Sequence, residues 1–385
     1  MPRIFISTAE VSGDVQASRL LAELHRRHPG RYQADALGGE HLRRAGANIL
    51  EDLSTQSSVG LLEGLPFLLR SVGQLRRFKR ILEAGAYDLA IFVDGQGRNL
   101  PLGVTARKLG IKTVYYFPPP VSTWGAWNIP RMRPYDLLLC PFEADHLLYT
   151  KAGCASVYTG HPFCALPDSW DPRAQRRQLG LPEDGTLLAI FPGSRPQEII
   201  ELTQTFLEAC RLLRDGRPDL HFVLSLAHGE YREQVCDQVA HSGLPVPVVE
   251  RESDRILQAS DLLLTASGTA TLQAAFFHVP MAIAYRVSFL TEWLARRLLK
   301  VRHIGLPNIL AARTVCPEFI NRDLSAPKLA AWLSKMVDDA PARRAVSDEL
   351  AALRRAIAVP DPYGRMVDGI EAVLAGKAAA SRLGA

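Results

Sequence analysis

Residues 187–193 read LLAIFPG and run directly into Ser194, Arg195 and a helix start with an acidic residue, Glu198. An apolar run ending in Gly-Ser-Arg describes a buried strand that turns sharply into a helix. Such a turn brings backbone N–H groups and one guanidinium to a single point. A second turn of the same kind, DLLLTASGTATLQAA, begins at Asp261. In an open α/β sheet these turns lie at the carboxyl edge, where ligands bind and helix N-termini favour anions. Two of them facing a common cleft suit a diphosphate.

Outward from this stretch, short apolar runs alternate with helical patterns through both halves of the chain. Strands are expected at Arg3–Ser7, Asp35–Leu37, Leu89–Val93, Thr113–Phe117 and Leu137–Cys140, then at Leu187–Phe191, His221–Leu226, Val246–Val249, Leu262–Thr265 and Met281–Tyr285. Most lack strict alternation, as strands do when helices cover both faces of a parallel sheet. Helical spacing marks 16–27, 100–109, 198–214 and 269–277. The stretch 165–185, with Pro167, Pro172, Pro182 and Gly185, reads as a linker. The chain has 385 residues, 47% of them apolar, which suits two domains with a core each. The expectation is an α/β protein of two Rossmann-like domains facing a central cleft, 1–165 and 180–354, with a helical tail at about 355–385. That tail needs a covering surface, either the first domain or a second subunit of a homodimer.

A net charge of +5 does not call for nucleic acid, and none is expected as a partner. The cysteines at 140, 154, 164, 210, 236 and 316 show no CxxC or Cys/His ligand spacing and read as small buried apolar residues. No basic leader with a long apolar run opens the chain, and no apolar run reaches the ~18 residues of a membrane span. A cytoplasmic protein is expected. Two segments are basic, amphipathic and aromatic together, the composition of helices that lie on anionic lipid headgroups. One is 59–82, VGLLEGLPFLLRSVGQLRRFKRIL; the other is 285–303, with Phe289, Trp293, Arg296, Arg297 and Lys300. An ordinary surface helix with a core-facing stripe accounts for either one alone equally well.

Several residues carry the chemistry. In AEVSGD, 9–14, small residues permit close approach and Asp14 is positioned to cap the helix that follows. The turn is not GxGxxG, so no nicotinamide cofactor is expected, nor any other cofactor. Asp94 ends the strand DLAIFVD before Gly95-Gln96-Gly97-Arg98-Asn99; a carboxylate at a strand's carboxyl end, partly desolvated, is a candidate general base. Its plain alternative is a helix cap in a glycine-rich turn. Arg195 is a candidate partner for diphosphate oxygens as charge develops on them, with Gly193 and Ser194 supplying the turn. Ser267, Gly268 and Thr269 form the second anion-binding turn, and Gln273, one helical turn on, is placed to bond a ribose hydroxyl. His161 closes a loop or serves the site. Trp124 and Trp127, after Pro118-Pro119-Pro120, shape an acceptor pocket or pack. No DxD or His/carboxylate cluster follows a strand, so no metal is expected.

Taken in order, AEVSGD at 9–14, VGLLEG at 59–64, the Asp94 turn, GIKTVYY at 110–116, the Trp124/Trp127 loop, PFE at 141–143, GHP at 160–162, PGSR at 192–195, ASGTATLQ at 266–273, PMAIAYR at 280–286 and LPNIL at 306–310 resemble the lipid-A-disaccharide synthase family over nearly the whole chain. The resemblance implies an inverting glycosyltransferase of the two-domain glycosyltransferase-B fold. It implies transfer of an acylated glucosamine from its UDP carrier to the 6-hydroxyl of an acylated glucosamine 1-phosphate, giving a β-1,6 disaccharide and UDP at the inner face of the cytoplasmic membrane. It makes Asp94 the base, Arg195 the essential arginine and Glu10 a further catalytic candidate, and it adds Arg286 and Asn308 to the donor set. Leu61, Leu62, Phe67, Leu68, Leu69, Trp124 and Trp127 fall on the acceptor and membrane side. The chain departs from the family pattern in places. The family's Asp-Ala-Pro-Asp-Phe-Asn is here Asp94-Gly95-Gln96-Gly97-Arg98-Asn99, the tryptophan loop is altered, and Gln273 stands where Glu is usual. These changes bear on the acceptor more than on the reaction. A glycosyltransferase for another lipid acceptor, a catalytically silent UDP-sugar-binding module and, further off, a sugar-nucleotide epimerase remain open readings.

Overall fold

Strand β1, Arg3–Thr8, lies inside a seven-stranded parallel sheet with β2 (Gln33–Gly38), β3 (Asn48–Asp52), β4 (Leu89–Val93), β5 (Lys112–Tyr116), β6 (Leu137–Cys140) and β7 (Ser156–Tyr158), ordered β3-β2-β1-β4-β5-β6-β7. The computed structural model describes residues 1–52, 64–123, 125–227, 229–286 and 303–377. Alternate residues of each strand face opposite layers. Ile4, Ile6, Ile91, Val93 and Val114 pack on the helix Val11–Arg27, while Phe5, Ala90, Phe92 and Tyr115 face Phe78, Leu82, Leu102 and Ala106 from the helices Gly64–Ala84 and Gln96–Lys108. Both faces are covered, which is why these strands read as unbroken apolar runs.

The chain forms two compact units, Met1–Ala165 with the chain from Val359 on, and Leu166–Ala358. In the second, β8 (Thr186–Phe191), β9 (Leu220–Leu226), β10 (Val248–Glu250), β11 (Leu262–Ala266), β12 (Met281–Tyr285) and β13 (Glu318–Ile320) form a parallel sheet ordered β10-β9-β8-β11-β12-β13. Leu188, Ile190, Phe222, Leu224, Leu262 and Leu264 pack against Leu202, Phe206, Leu329 and Leu333 of the helices Pro196–Arg214 and Ala326–Asp338. Cys140, Cys154, Cys210 and Cys316 are buried as small apolar residues. Among the described residues no helix is long and apolar enough to cross a membrane.

Three strands, β3, β7 and β13, were not expected from the sequence; they are edge strands of three to five residues. The stretch expected as a linker, 165–185, instead holds the helix Pro172–Gln178. Its buried Arg176 donates to the carbonyls of Ala259, Glu183 and Gly185 and pairs with Asp261 at 2.7 Å, which fixes that helix to the second unit. Past Ala358 the chain returns to the first unit. Val359 lies against Gly160, whose φ of 74° and lack of a side chain admit it: a Cβ there would stand 2.5 Å from the valine's own. The helix Pro362–Leu374 then buries Met366, Val367, Ile370 and Val373 in the first core. Lys112 Nζ caps its last turn by donating to the Val373 and Leu374 carbonyls at 2.8 and 2.9 Å. The apolar face of the tail is thus covered within the chain.

Candidate active site

In each sheet the strand order reverses once, between β1 and β4 and between β8 and β11, and open α/β sheets bind ligands outside the carboxyl ends of strands at such points. The quoted turns sit there. In the first unit the turn after β1, at Ala9 and Glu10, meets the turn after β4, at Asp94 and Gly95, each leading into a helix. Asp94 has φ 50° and Gly95 φ 58°, so two successive residues are left-handed. A Cβ on Gly95 would lie 2.1 Å from that of Ala9, which makes glycine obligatory. The strained aspartate is held by its own backbone: Asp94 N donates to Tyr116 O at 2.9 Å, and its carbonyl accepts from Tyr115 Oη and Asn99 Nδ2, each at 2.7 Å. Asn99 is fully buried, also bonds the Val93 and Ser7 carbonyls, and accepts from Ser7 Oγ at 2.7 Å. These bonds fix the Asp94 backbone through its N–H and carbonyl and do not use its carboxylate.

Asp94 is solvent-exposed as a residue, yet protein crowds its surroundings. That crowding is the largest influence and raises its carboxyl above the usual range; the Gly95 N–H lowers it, and the charge of Glu10 raises it again. Solvent screening limits the shift, and its direction suits a base. Glu10 is exposed at the start of the helix Val11–Arg27 and makes no side-chain cap. Asp14 does not cap that helix either, contrary to expectation. It is buried and accepts from Gly39 N at 2.6 Å and His41 N at 3.0 Å, so it caps the short helix Glu40–Arg44 across the β1–β2 layer. His161 is buried among Phe117, Phe142 and Phe163, with the Phe163 N–H on its Nδ1 at 3.2 Å. Burial, then the Arg19 charge, pushes its pKa down to about 3, so the ring stays neutral at ordinary pH and closes a loop instead of carrying protons.

In the second unit Gly193 follows β8 with φ 113°, and a Cβ there would lie 2.6 Å from Glu198 Oε2 and 3.2 Å from Ala266 Cβ. Arg195 heads the helix Pro196–Arg214, which has no side-chain cap at its N-terminus, and Pro196 opens it. The arginine is exposed and held by Glu198 at 3.0 Å. Beside it, after β11, Gly268 and Thr269 are exposed at the start of the helix Thr269–Phe276, again without a side-chain cap. Ser267 Oγ donates to Ile304 O at 3.0 Å, and Thr271 Oγ1 to Gly268 O at 2.7 Å. Ser194 is exposed. Two open helix N-termini and one guanidinium therefore converge at one switch point. Arg286, just past β12, pairs with Glu201 at 3.4 Å.

Two donor candidates have other occupations. Gln273 donates to Ser253 Oγ at 3.3 Å and to Asp254 Oδ1, so its amide ties two helices together. Asn308 is fully buried and its amide is used up: Nδ2 donates to Cys316 O and Glu318 Oε1, and Oδ1 accepts from Val315 N and Cys316 N, all at 2.7–2.9 Å. It secures the loop behind Ser267 and has no group left for a ligand. Its partner Glu318 also accepts from Ile304 N and Gly305 N; no local signal in the sequence marks that glutamate. On the acceptor side Trp127 is 63% exposed, while Leu61, Leu62 and Trp124 lie outside the described residues. Phe67, Leu68 and Leu69 are on the backbone of the helix Gly64–Ala84. Later in that helix Phe78 and Leu82 are buried, while Arg76, Arg77 and Arg80 are exposed and Arg77 pairs with Glu51 at 2.7 Å, the pattern of a surface helix with a core-facing stripe. The 285–303 segment is mostly outside the described residues.

A sequence model described as lipid-A-disaccharide synthetase matches residues 4–357. The chain belongs to the lipid-A-disaccharide synthase family. It is 35% identical over 374 residues to the lipid-A-disaccharide synthase of Anaeromyxobacter dehalogenans, covering 97% of each chain. It is 36% identical over 343 residues to that of Pseudomonas aeruginosa, covering 88% of this chain and 90% of the relative. Solved structures share the fold at low identity. A putative UDP-N-acetylglucosamine 2-epimerase from Listeria monocytogenes has TM-score 0.67 at 13% identity, covering 96% of both chains. Acinetobacter baumannii MurG has TM-score 0.56 at 15%, covering 96% of this chain and 99% of the other. The two parallel α/β sheets are those of the glycosyltransferase-B fold that the family resemblance implied.

Proposed function

We propose that this member of the lipid-A-disaccharide synthase family transfers an acylated glucosamine from UDP to the 6-hydroxyl of an acylated glucosamine 1-phosphate. The observation that carries the reading is the pairing of family membership with chemically complementary switch points, a carboxylate with raised pKa on one unit and a guanidinium with two open helix N-termini on the other. Asp94 takes the hydroxyl proton as the acceptor oxygen bonds to the anomeric carbon. The bond from that carbon to the diphosphate oxygen breaks, and UDP leaves with the electron pair. The developing charge falls on Arg195 and on the N–H groups around Ser194 and Gly268–Thr269. Attack opposite the leaving group inverts the anomeric centre, and fixed cationic groups serve where other transferases use a metal. The protein works while resting on anionic lipid, with the 59–82 segment toward the acyl chains.

Incubation with UDP-acylglucosamine in the presence of EDTA, with and without the acceptor, tests this. Disaccharide and UDP are expected only with acceptor, and sedimentation with vesicles of anionic lipid is expected to exceed that with neutral ones. Consumption of donor without acceptor would replace the reading with epimerisation or hydrolysis, and binding of UDP with no turnover would replace it with a silent module.

A further inference from the structure

In the first unit, most arginines near a carboxylate are paired with one: Arg3 with Asp35, Arg26 and Arg27 with Glu23, Arg43 and Arg44 with Glu40, Arg77 with Glu51. Arg98 is different. It is half-buried in the first turn of the helix Gln96–Lys108, which Asp94 and Gly95 lead into, yet among the described residues no carboxylate pairs with it. Its Nη1 donates to Thr8 O at 3.1 Å, and its guanidinium carbon stands 5.4 Å from the centre of the Phe78 ring. Neither contact neutralises the charge. Burial alone accounts for the lowering of its pKa, with no offsetting anion. A partly desolvated guanidinium with no counter-charge among the described residues is suited to take an anionic ligand.

Its place narrows what that anion is. Thr8 is the last residue of β1, Asp94 directly follows β4 and Arg98 is in the first turn of the helix that Asp94 leads into, so Arg98 and the candidate base share one switch point. The two do not form an ion pair, and Arg98 is not among the influences on the Asp94 carboxyl. In a glucosamine 1-phosphate the phosphate on C1 and the hydroxyl on C6 sit on the two sides of the ring oxygen, so one turn can address both.

Resting on the transfer proposed above, we infer that Arg98 receives the anomeric phosphate of the acceptor sugar and so selects a phosphorylated acceptor at the Asp94 turn. A guanidinium offers the paired N–H donors that match phosphate oxygens, and Phe78 holds its plane. Arg98→Ala, Arg98→Lys and the family-like Arg98→Phe are compared with the unsubstituted chain on two acceptors, the acylated glucosamine 1-phosphate and the same sugar with a free 1-hydroxyl. Arg98→Ala is expected to raise KM for the phosphorylated acceptor about ten- to hundredfold, with KM for the donor unchanged and thermal melting held. KM for the free-hydroxyl sugar is expected to move less than twofold, and Arg98→Lys to recover part of the loss. Equal changes on both acceptors, or a loss confined to kcat, would assign Arg98 a purely structural role and overturn the inference. If the unsubstituted chain transfers to neither acceptor, it is the parent reading that fails.

Discussion

Asp94 is held in a left-handed conformation that costs a non-glycine residue about 1–2 kcal/mol, and the bonds from Tyr115, Asn99 and Tyr116 to its backbone offset that cost. Strain maintained by buried partners at a strand end is the pattern of a functional residue. Crowding and the Glu10 charge both favour the protonated form, so the base is competent only above a pKa raised from the ordinary carboxylate value of 3.8. The acid limb of kcat/KM is therefore expected to rise through that raised pKa, because activity needs the deprotonated form. Glu10→Gln removes one source of repulsion and is expected to move the limb to lower pH, measured by initial rates across pH; an unmoved limb would separate Glu10 from the base. Sequence could locate Asp94 from its place at the carboxyl end of an apolar strand. It could not reveal that Asp14 serves a helix 25 residues on, since the Gly39 and His41 N–H groups it meets are neighbours only in the fold.

At the scale of elements, the strand-to-helix turns depend on glycine. Gly193→Ala places a Cβ against Glu198 and Ala266 in a left-handed backbone, and a loss of about 1–3 kcal/mol is expected in chemical denaturation, together with weaker donor binding as Arg195 is displaced. Unchanged stability and donor affinity would show that the turn tolerates a different course. The long buried strands were legible because helices cover both faces and leave continuous apolar runs. The short strands were not: β3 is NILED and β13 is EFI, half-buried segments with too few apolar residues to register as a pattern. Asn308 shows the same limit at the site, since the resemblance put it in the donor set but could not show that its amide is fully used by the 315–318 loop.

For the whole molecule, the chain's return to its first unit means that neither unit is a simple half of the sequence. Ending the chain after Ala358 removes Met366, Val367, Ile370 and Val373 from the first core, at about 1.5–3 kcal/mol for each side chain. That approaches the whole margin of a domain, and the truncated protein is expected to aggregate or melt far below the full chain in a thermal scan. A melt like that of the full chain would show that the tail only decorates the surface. The second consequence concerns function: the candidate base and the candidate diphosphate groups belong to different units, and the proposed transfer requires them to serve one reaction. Single-turnover transfer and UDP titration on Asp94→Asn and Arg195→Ala test that most directly. Asp94→Asn is expected to keep UDP affinity within about twofold while transfer falls about 100-fold or more, and Arg195→Ala to lose donor affinity and transfer together; an active Asp94→Asn protein, or an Arg195→Ala protein with unaltered kinetics, would rule out these roles.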